Sequence, residues 1–194
     1  MKYENEVTVE IDISKEDLFN ILKKQKFVVK EIYDVKDIYM LNKREKNNND
    51  TLELLKNCIL IRNIIDVNGE SKKITYKYKE YNNKKEIVKQ GKINCKIDSI
   101  KSAKELFEAI GYEEFVTIND HITVFSNSLD ELCVQEVNNK HIYIEIEDDC
   151  HYTDKQYLDI NEMKNVFKKY NIPIINNNYF VKKAEVEIKE KYNI

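Results

Sequence analysis

The sequence predicts an α+β fold, with about eight long antiparallel strands curled or closed around a polar interior and about three helices beside them. Three observations carry this. Runs of alternating apolar and polar residues recur along most of the 194 residues, the period-two signature of half-buried strands. One parity of these runs stays polar throughout, so each strand has one dry and one wet face, as in a sheet that wraps a solvated space. Helical periodicity appears in three places only, and no linker rich in Gly, Ser or Pro divides the chain, so a single domain over 1–194 is expected.

The elements follow in order. "YENEVTVEID" (3–12) sets Val7, Val9 and Ile11 on one parity against Glu4, Glu6, Thr8, Glu10 and Asp12 on the other, a strand with an apolar and an acidic face. "SKEDLFNILKKQ" offers Ser14 as N-cap with Asp17 three residues on, then Leu18, Phe19, Ile21 and Leu22 at helical spacing, a helix from about 15 to 25. Residues 27–42 return to β-branched and aromatic content and lead into "KREKNNND", a charged loop of mobile composition. "CILIRNIIDV", "KKITYKYKEY" and "KEIVKQGKINCKI", separated by "NGES" and "NN", predict an antiparallel meander. A second helix follows, capped by Ser99 and terminated by Gly111, with Ile100, Ala103, Leu106, Phe107 and Ile110 on one face. Strands resume with "EEFVTINDHITVFS", "ELCVQEV" and "HIYIEIED"; a third helix spans about 154–170 and ends before Pro173, leaving a tail of uncertain type.

Composition narrows the function classes. A net charge of −3 gives no global basic field for nucleic acid or an anionic membrane surface, so any anion site must be a local cluster. No apolar run approaches the ~18 residues that span a bilayer. Cys58, Cys95, Cys133 and Cys150 form no CxxC pair and read as reduced thiols of a cytoplasmic protein. With three glycines, one proline and abundant Asn, Lys and Ile, the chain carries an AT-rich coding bias of bacterial type. His121, His141 and His151 have no metal-ligand spacing, and the tyrosines suit strands and core before base stacking.

The acidic parity needs relief, because charges two residues apart on a strand, about 6.7 Å, repel by roughly 2 to 3 kcal/mol at an effective dielectric near 20. "HIYIEIED" repeats the pattern, with Tyr143, Glu145, Glu147 and Asp149 opposite Ile142, Ile144 and Ile146. Between the two acidic runs lie Arg62 and Lys77, each among apolar or aromatic neighbours. Two explanations stand: these cations neutralise the carboxylates across a wet face, or the set holds a hard divalent metal bridged to phosphates.

The order of these pieces resembles the CYTH group, which comprises class IV adenylyl cyclases, thiamine triphosphatases and related triphosphate tunnel metalloenzymes. The matching residues are the ExE run at the front, "DIY", the LRxR-like "ILIR", the TxK-like "TYK", the helix ending "IGY", the late "EIE", and a fainter echo in "NNNYF". The resemblance implies an eight-stranded antiparallel β-barrel, the triphosphate tunnel, binding Mg²⁺ or Mn²⁺ through Glu4, Glu6, Glu145 and Glu147. It implies that Arg62 and Lys77 contact the triphosphate, with Lys89 and Lys92 adding charge and Tyr39 and Asp37 of the DxY motif lining the wall. The expected partner is a small-molecule triphosphate, not nucleic acid or membrane, and a homodimer is compatible. The expected activity is metal-dependent binding and hydrolysis of a triphosphate, the alternatives being ATP cyclisation and a degenerate, non-catalytic binding role. The ExExK signature is altered in either register: Thr8 replaces its lysine, or Thr8 and Glu10 replace a glutamate and the lysine.

Overall fold

The computed structural model describes residues 2–3, 5–45, 50–56, 58–83, 87–148 and 150–193, without the side chains of 2, 3 and 87–90. In chain order the elements are β1 (Lys2–Tyr3), β2 (Glu6–Glu10), α1 (Lys15–Lys24), β3 (Val28–Asn42), α2 (Thr51–Lys56), β4 (Ile59–Asp66), β5 (Gly69–Tyr81), β6 (Ile87–Lys96), α3 (Ile100–Ala109), β7 (Tyr112–Ser126), β8 (Glu131–Val137), β9 (His141–Glu147), α4 (Ile160–Lys169) and α5 (Lys183–Tyr192). The architecture is α+β, with eight long strands beside the two-residue β1. Two compact units share it: the first holds Met1–Tyr3, Asp34–Asn119 and Lys182–Ile194, the second Glu4–Tyr33 and Asp120–Val181. Strands β3 and β7 run through both.

In the first unit the strand order is β1-β6-β5-β4-β3-β7. The predicted meander β4, β5, β6 is antiparallel throughout, and Asp66 pairs with Gly69 across a two-residue turn. Gly69 there has φ +132, a conformation side chains disfavour. Helix α3, capped by the Ser99 hydroxyl accepting from the Ser102 N–H, lays Ala103 and Phe107 on Ile38, Met40 and Ile61. Its buried stripe is narrower than the sequence suggests: Leu106 and Ile110 are exposed.

The second unit follows the order β3-β7-β8-β9-β2. Val7, Val9 and Ile11 pack with Leu132, Val134, Ile144 and Ile146 against Leu18 and Leu22 of α1 and Met163, Val166 and Phe167 of α4. Full burial of such side chains contributes about 1.5–3 kcal/mol each. The Ser14 cap forms as predicted, its hydroxyl accepting from the Asp17 N–H.

Three further expectations change, and the tail left open by the sequence takes a definite form. The first run is two strands, because β1 pairs with β6 and β2 with β9, while the Asn5 N–H donates to Asp148. The third helix starts at Ile160, not 154, since the Asp159 carboxylate caps it by accepting from Asn161 and Glu162, and Tyr157 before it is committed to a hydrogen bond with Asp130. Part of the "KREKNNND" loop, 46–49, lies outside the described residues; its last residue, Asp50, caps the unexpected α2 by accepting from the Leu52 N–H. The tail forms α5.

Candidate functional site

The antiparallel pairing of β2 with β9 sets Glu6 opposite Glu147, Thr8 opposite Glu145 and Glu10 opposite Tyr143. Strand alternation does the rest. With Val7, Val9, Ile144 and Ile146 in the core, the acidic side chains of both strands share the other face. One carboxylate oxygen from each of Glu6, Glu145 and Glu147 lies within 4.8 Å of the others, and all three residues are half-buried. The buried Thr8 hydroxyl stands between them, 3.4 Å from Glu6 Oε1 and 3.5 Å from Glu145 Oε2. Tyr33 adjoins the group: burial, then the charges of Cys133, Glu145, Glu31 and Glu147, raise its pKa and keep its phenol protonated. Further along the same face, Glu10 Oε1 is 2.8 Å from His141 Nδ1, and the His141 ring stacks on Tyr143 at 5.9 Å.

This donor set fits a hard divalent cation. An octahedral ion with oxygens at about 2.1 Å holds them roughly 3 Å apart when adjacent and about 4.2 Å apart when opposite. Small side-chain rotations bring oxygens within 4.8 Å to that spacing. Glu4, expected as a fourth ligand, lies outside the described residues.

In the first unit, Asp37 and Arg62 are directly opposite on β3 and β4. Arg62 Nε donates to Asp37 Oδ1 at 2.6 Å and Nη2 to Oδ2 at 2.5 Å, a two-pronged ion pair. Burial pushes the Asp37 carboxyl up, but the charge and hydrogen bonds of Arg62, followed by the charges of Lys77 and Lys183, hold it below the usual range. The positive charges of Lys77 and Lys183 thus act on Asp37 alongside that of Arg62. Burial, then the Asp37 charge, raises the pKa of Tyr39, against the opposing pull of Arg62 and Lys183. Lys92 is opposite Lys77 on β6, and Lys89 is opposite Glu80, its side chain lying outside those described.

The sequence-derived residues thus gather into two sets: Glu6, Glu145 and Glu147 in the second unit, and Tyr39, Arg62, Lys77 and Lys92 in the first. Asp37, expected as a wall residue, is the carboxylate that orients Arg62. Sequence reasoning missed Lys183, which sits in the tail without a readable pattern. It also missed the Glu10–His141 pair, since register alone joins residues so far apart in the chain. Tyr33 carried a usable signal: it shares parity with Asp37 and Tyr39 along β3.

No family model matches the sequence, and no curated protein matches it. Solved structures do. A protein of Pyrococcus horikoshii is 14% identical, with 97% of this chain and 99% of that one covered at a TM-score of 0.68. A chain from the Schizosaccharomyces pombe Mediator head module is 9% identical, covering 87% and 96% at 0.58. A Hippeastrum protein described as a candidate adenylyl cyclase with a dominant triphosphatase activity is 11% identical, covering 97% and 96% at 0.59. Similar structures come from Pyrococcus, Vibrio, Schizosaccharomyces and Hippeastrum, so they do not single out the bacterial source that composition suggested. Among the described residues, no helix is long and apolar enough to cross a membrane. At these identities the likeness establishes fold, and the fold is CYTH-like.

Proposed function

We propose that this chain, as a single CYTH-like domain, binds a small-molecule triphosphate together with Mg²⁺ or Mn²⁺ and hydrolyses it. The observation that carries the reading is the carboxylate trio Glu6, Glu145 and Glu147, with oxygens within 4.8 Å and side chains half-buried. A bound divalent ion there supplies Lewis-acid polarisation of a phosphoryl oxygen and activation of water. Glu6, Glu145 and Glu147 hold it, with Glu4 assigned beside them by the resemblance. Arg62, Lys77, Lys92 and Lys89 neutralise phosphate charge, Lys183 adds to their field, and Asp37 fixes the plane of the Arg62 guanidinium. The protonated Tyr39 phenol is a hydrogen-bond donor for the ligand. Reduced thiols and a phosphoanhydride ligand suit the cytoplasm.

The Hippeastrum protein's activity supports hydrolysis over cyclisation as the chemistry of this fold. Cyclisation further requires a nucleoside pocket that holds a ribose hydroxyl in line with the α-phosphate, and among the described residues no set argues for one. A second reading, binding without turnover, is favoured by Thr8, which replaces a charged residue of the ExExK signature, and by the commitment of the Arg62 fork to Asp37. The likeness to a Mediator chain fits it too, since one fold hosts many roles.

The test offers tripolyphosphate, thiamine triphosphate and ATP with Mg²⁺ or Mn²⁺, and follows phosphate, pyrophosphate and cyclic nucleotide. Phosphate release that disappears in Glu145→Gln supports the triphosphatase. Pyrophosphate with cyclic nucleotide selects the cyclase, and binding sensitive to Arg62→Ala without turnover selects the second reading. No binding of any triphosphate refutes the proposal.

A further inference from the structure

The outlying strands of the two units are finished differently. In the second unit the outward side of β2 is covered: the Thr8 N–H donates to the Tyr179 carbonyl at 3.3 Å, and the Thr8 carbonyl accepts from the Val181 N–H at 3.0 Å. In the first unit the outward side of β6 is covered by β1 at Gly91 and Lys92. Beyond them Ile93, Asn94, Cys95 and Lys96 are all exposed, and among the described residues no strand pairs with this stretch from outside.

Register identifies the groups that face out. The Ile97 N–H donates to the Lys72 carbonyl at 3.1 Å, and next along the ladder Lys73 pairs with Lys96 and Ile74 with Cys95. Hydrogen-bonded and non-hydrogen-bonded pairs alternate along an antiparallel ladder. Ile97, Cys95 and Ile93 therefore turn their backbone groups toward β5, whereas Asn94 and Lys96 turn both N–H and C=O outward. The Asn94 side chain accepts from the Thr75 hydroxyl at 2.9 Å and does not cover them. The Cys95 thiol reaches the Lys96 carbonyl at 3.7 Å, a weak sulfur contact. On the other parity Ile93 is 56% exposed and Cys95 is exposed, in line with Ile97, which packs against the core beneath α3. An open edge with apolar side chains is a template for another strand.

One self-pairing satisfies this edge. When two copies pair antiparallel about a two-fold axis at Cys95, Asn94 of each lies opposite Lys96 of the other, and every outward N–H and C=O gains a partner. Ile93 then meets Ile97 of the second copy, and the two Cys95 residues stand opposite each other at a non-hydrogen-bonded position, with Cα atoms about 4.5 Å apart. Moving the axis to Lys96 sets lysine against lysine, an unfavourable cross-strand pair. Moving it to Asn94 calls on Lys92, whose edge β1 already holds. With the axis at Cys95, the exposed Asp98 of the second copy arrives beside Lys92, opposite in charge.

We infer that this chain forms a two-fold dimer by antiparallel pairing of its β6 edges over Ile93–Ile97, with the axis at Cys95. The contact is short, so the dimer is weak and reversible. Both copies use the same edge, so assembly closes at two.

Sedimentation velocity of the full chain, from micromolar to near-millimolar concentration, tests it. The expected result is a monomer–dimer equilibrium, and within it a short bismaleimide joins Cys95 to Cys95, read by mass spectrometry of the digest. Ile93→Lys places like charges at the seam, and Lys96→Pro deletes an outward N–H that β5 does not use. Each weakens dimerisation about tenfold or more, the size of two hydrogen bonds lost by symmetry, lowers the cross-linked yield and keeps the melting temperature of the parent monomer. If Lys96→Pro melts lower, Ile93→Lys decides alone. A monomer at every concentration overturns the inference and leaves the edge to a strand of another protein. A dimer that both variants retain, or that cross-links through a cysteine other than Cys95, overturns the pairing. Growth beyond two copies overturns the two-fold closure.

Discussion

Replacing Glu145 with glutamine changes two energies in opposite directions, and both follow from the geometry of the trio. The three carboxylate oxygens lie within 4.8 Å of one another, so each pair repels by at least about 0.9 kcal/mol at the dielectric of water and by about 3.5 kcal/mol at an effective dielectric of 20. Glu145→Gln removes two of the three pairs. Without metal, the variant is more stable than the parent by about 2 kcal/mol at the water-like limit, or roughly 4–8 °C in melting temperature for a chain of this size. The parent gains from metal what the variant loses: Mn²⁺ at one hundred times its dissociation constant adds about 2.7 kcal/mol, roughly 5–11 °C. Thermal unfolding followed by circular dichroism, in chelator and in Mn²⁺, gives all four values. The expected pattern is a crossover, with the variant melting higher in chelator and the parent overtaking it in metal. An unshifted parent in Mn²⁺, or a variant that keeps the parent's full shift, refutes the shared site.

Other consequences are as direct. Burial pushes the Asp130 carboxyl up, but hydrogen bonds from Lys169, Tyr170 and Tyr157 overcome it and lower its pKa. Its stabilising contribution is therefore complete above the unfolded value near 3.9 and is lost as pH falls through the lower folded value. Asp130→Asn should cost about 1.5–3 kcal/mol at neutral pH, the range for hydrogen bonds to a charged group, and flatten the acid limb of a stability–pH curve measured by urea unfolding. Asp37→Ala leaves Arg62 without its two-pronged partner and should destabilise by about 3–5 kcal/mol, the range for breaking a buried ion pair, read in the same titrations. Burial pushes the Cys58 thiol up to about 12, whereas Cys95 is exposed. A thiol reagent at mildly alkaline pH should therefore label Cys95 in the native protein and Cys58 only after unfolding, with mass spectrometry of the digest as readout.

Much of the fold and of the candidate site is legible in the amino-acid sequence. Alternation in 3–12 and 141–148 places the carboxylates opposite the core, because a strand buries every second residue and Val7, Val9, Ile144 and Ile146 have nowhere else to go. Ser14 and Ser99 announce their helices, since an N-cap is a local contact between a hydroxyl and a backbone N–H three residues on. The meander is legible from its short turns. Composition excludes a global basic field and thereby directs attention to local clusters such as Arg62 and Lys77.

What the sequence does not contain is register and partnership over long separations. Whether Glu6 meets Glu145 or Glu147 depends on how β2 slides along β9, and a slip of two residues would keep parity while changing every opposing pair. The same holds for Glu10 with His141 and for Lys77 with Lys92. Asp37 binding both nitrogens of the Arg62 fork requires two strands to fix planar groups face to face. Local energies write parity and caps into the chain, whereas the choice among equally patterned partners is made by packing, which joins residues far apart only once the fold has formed.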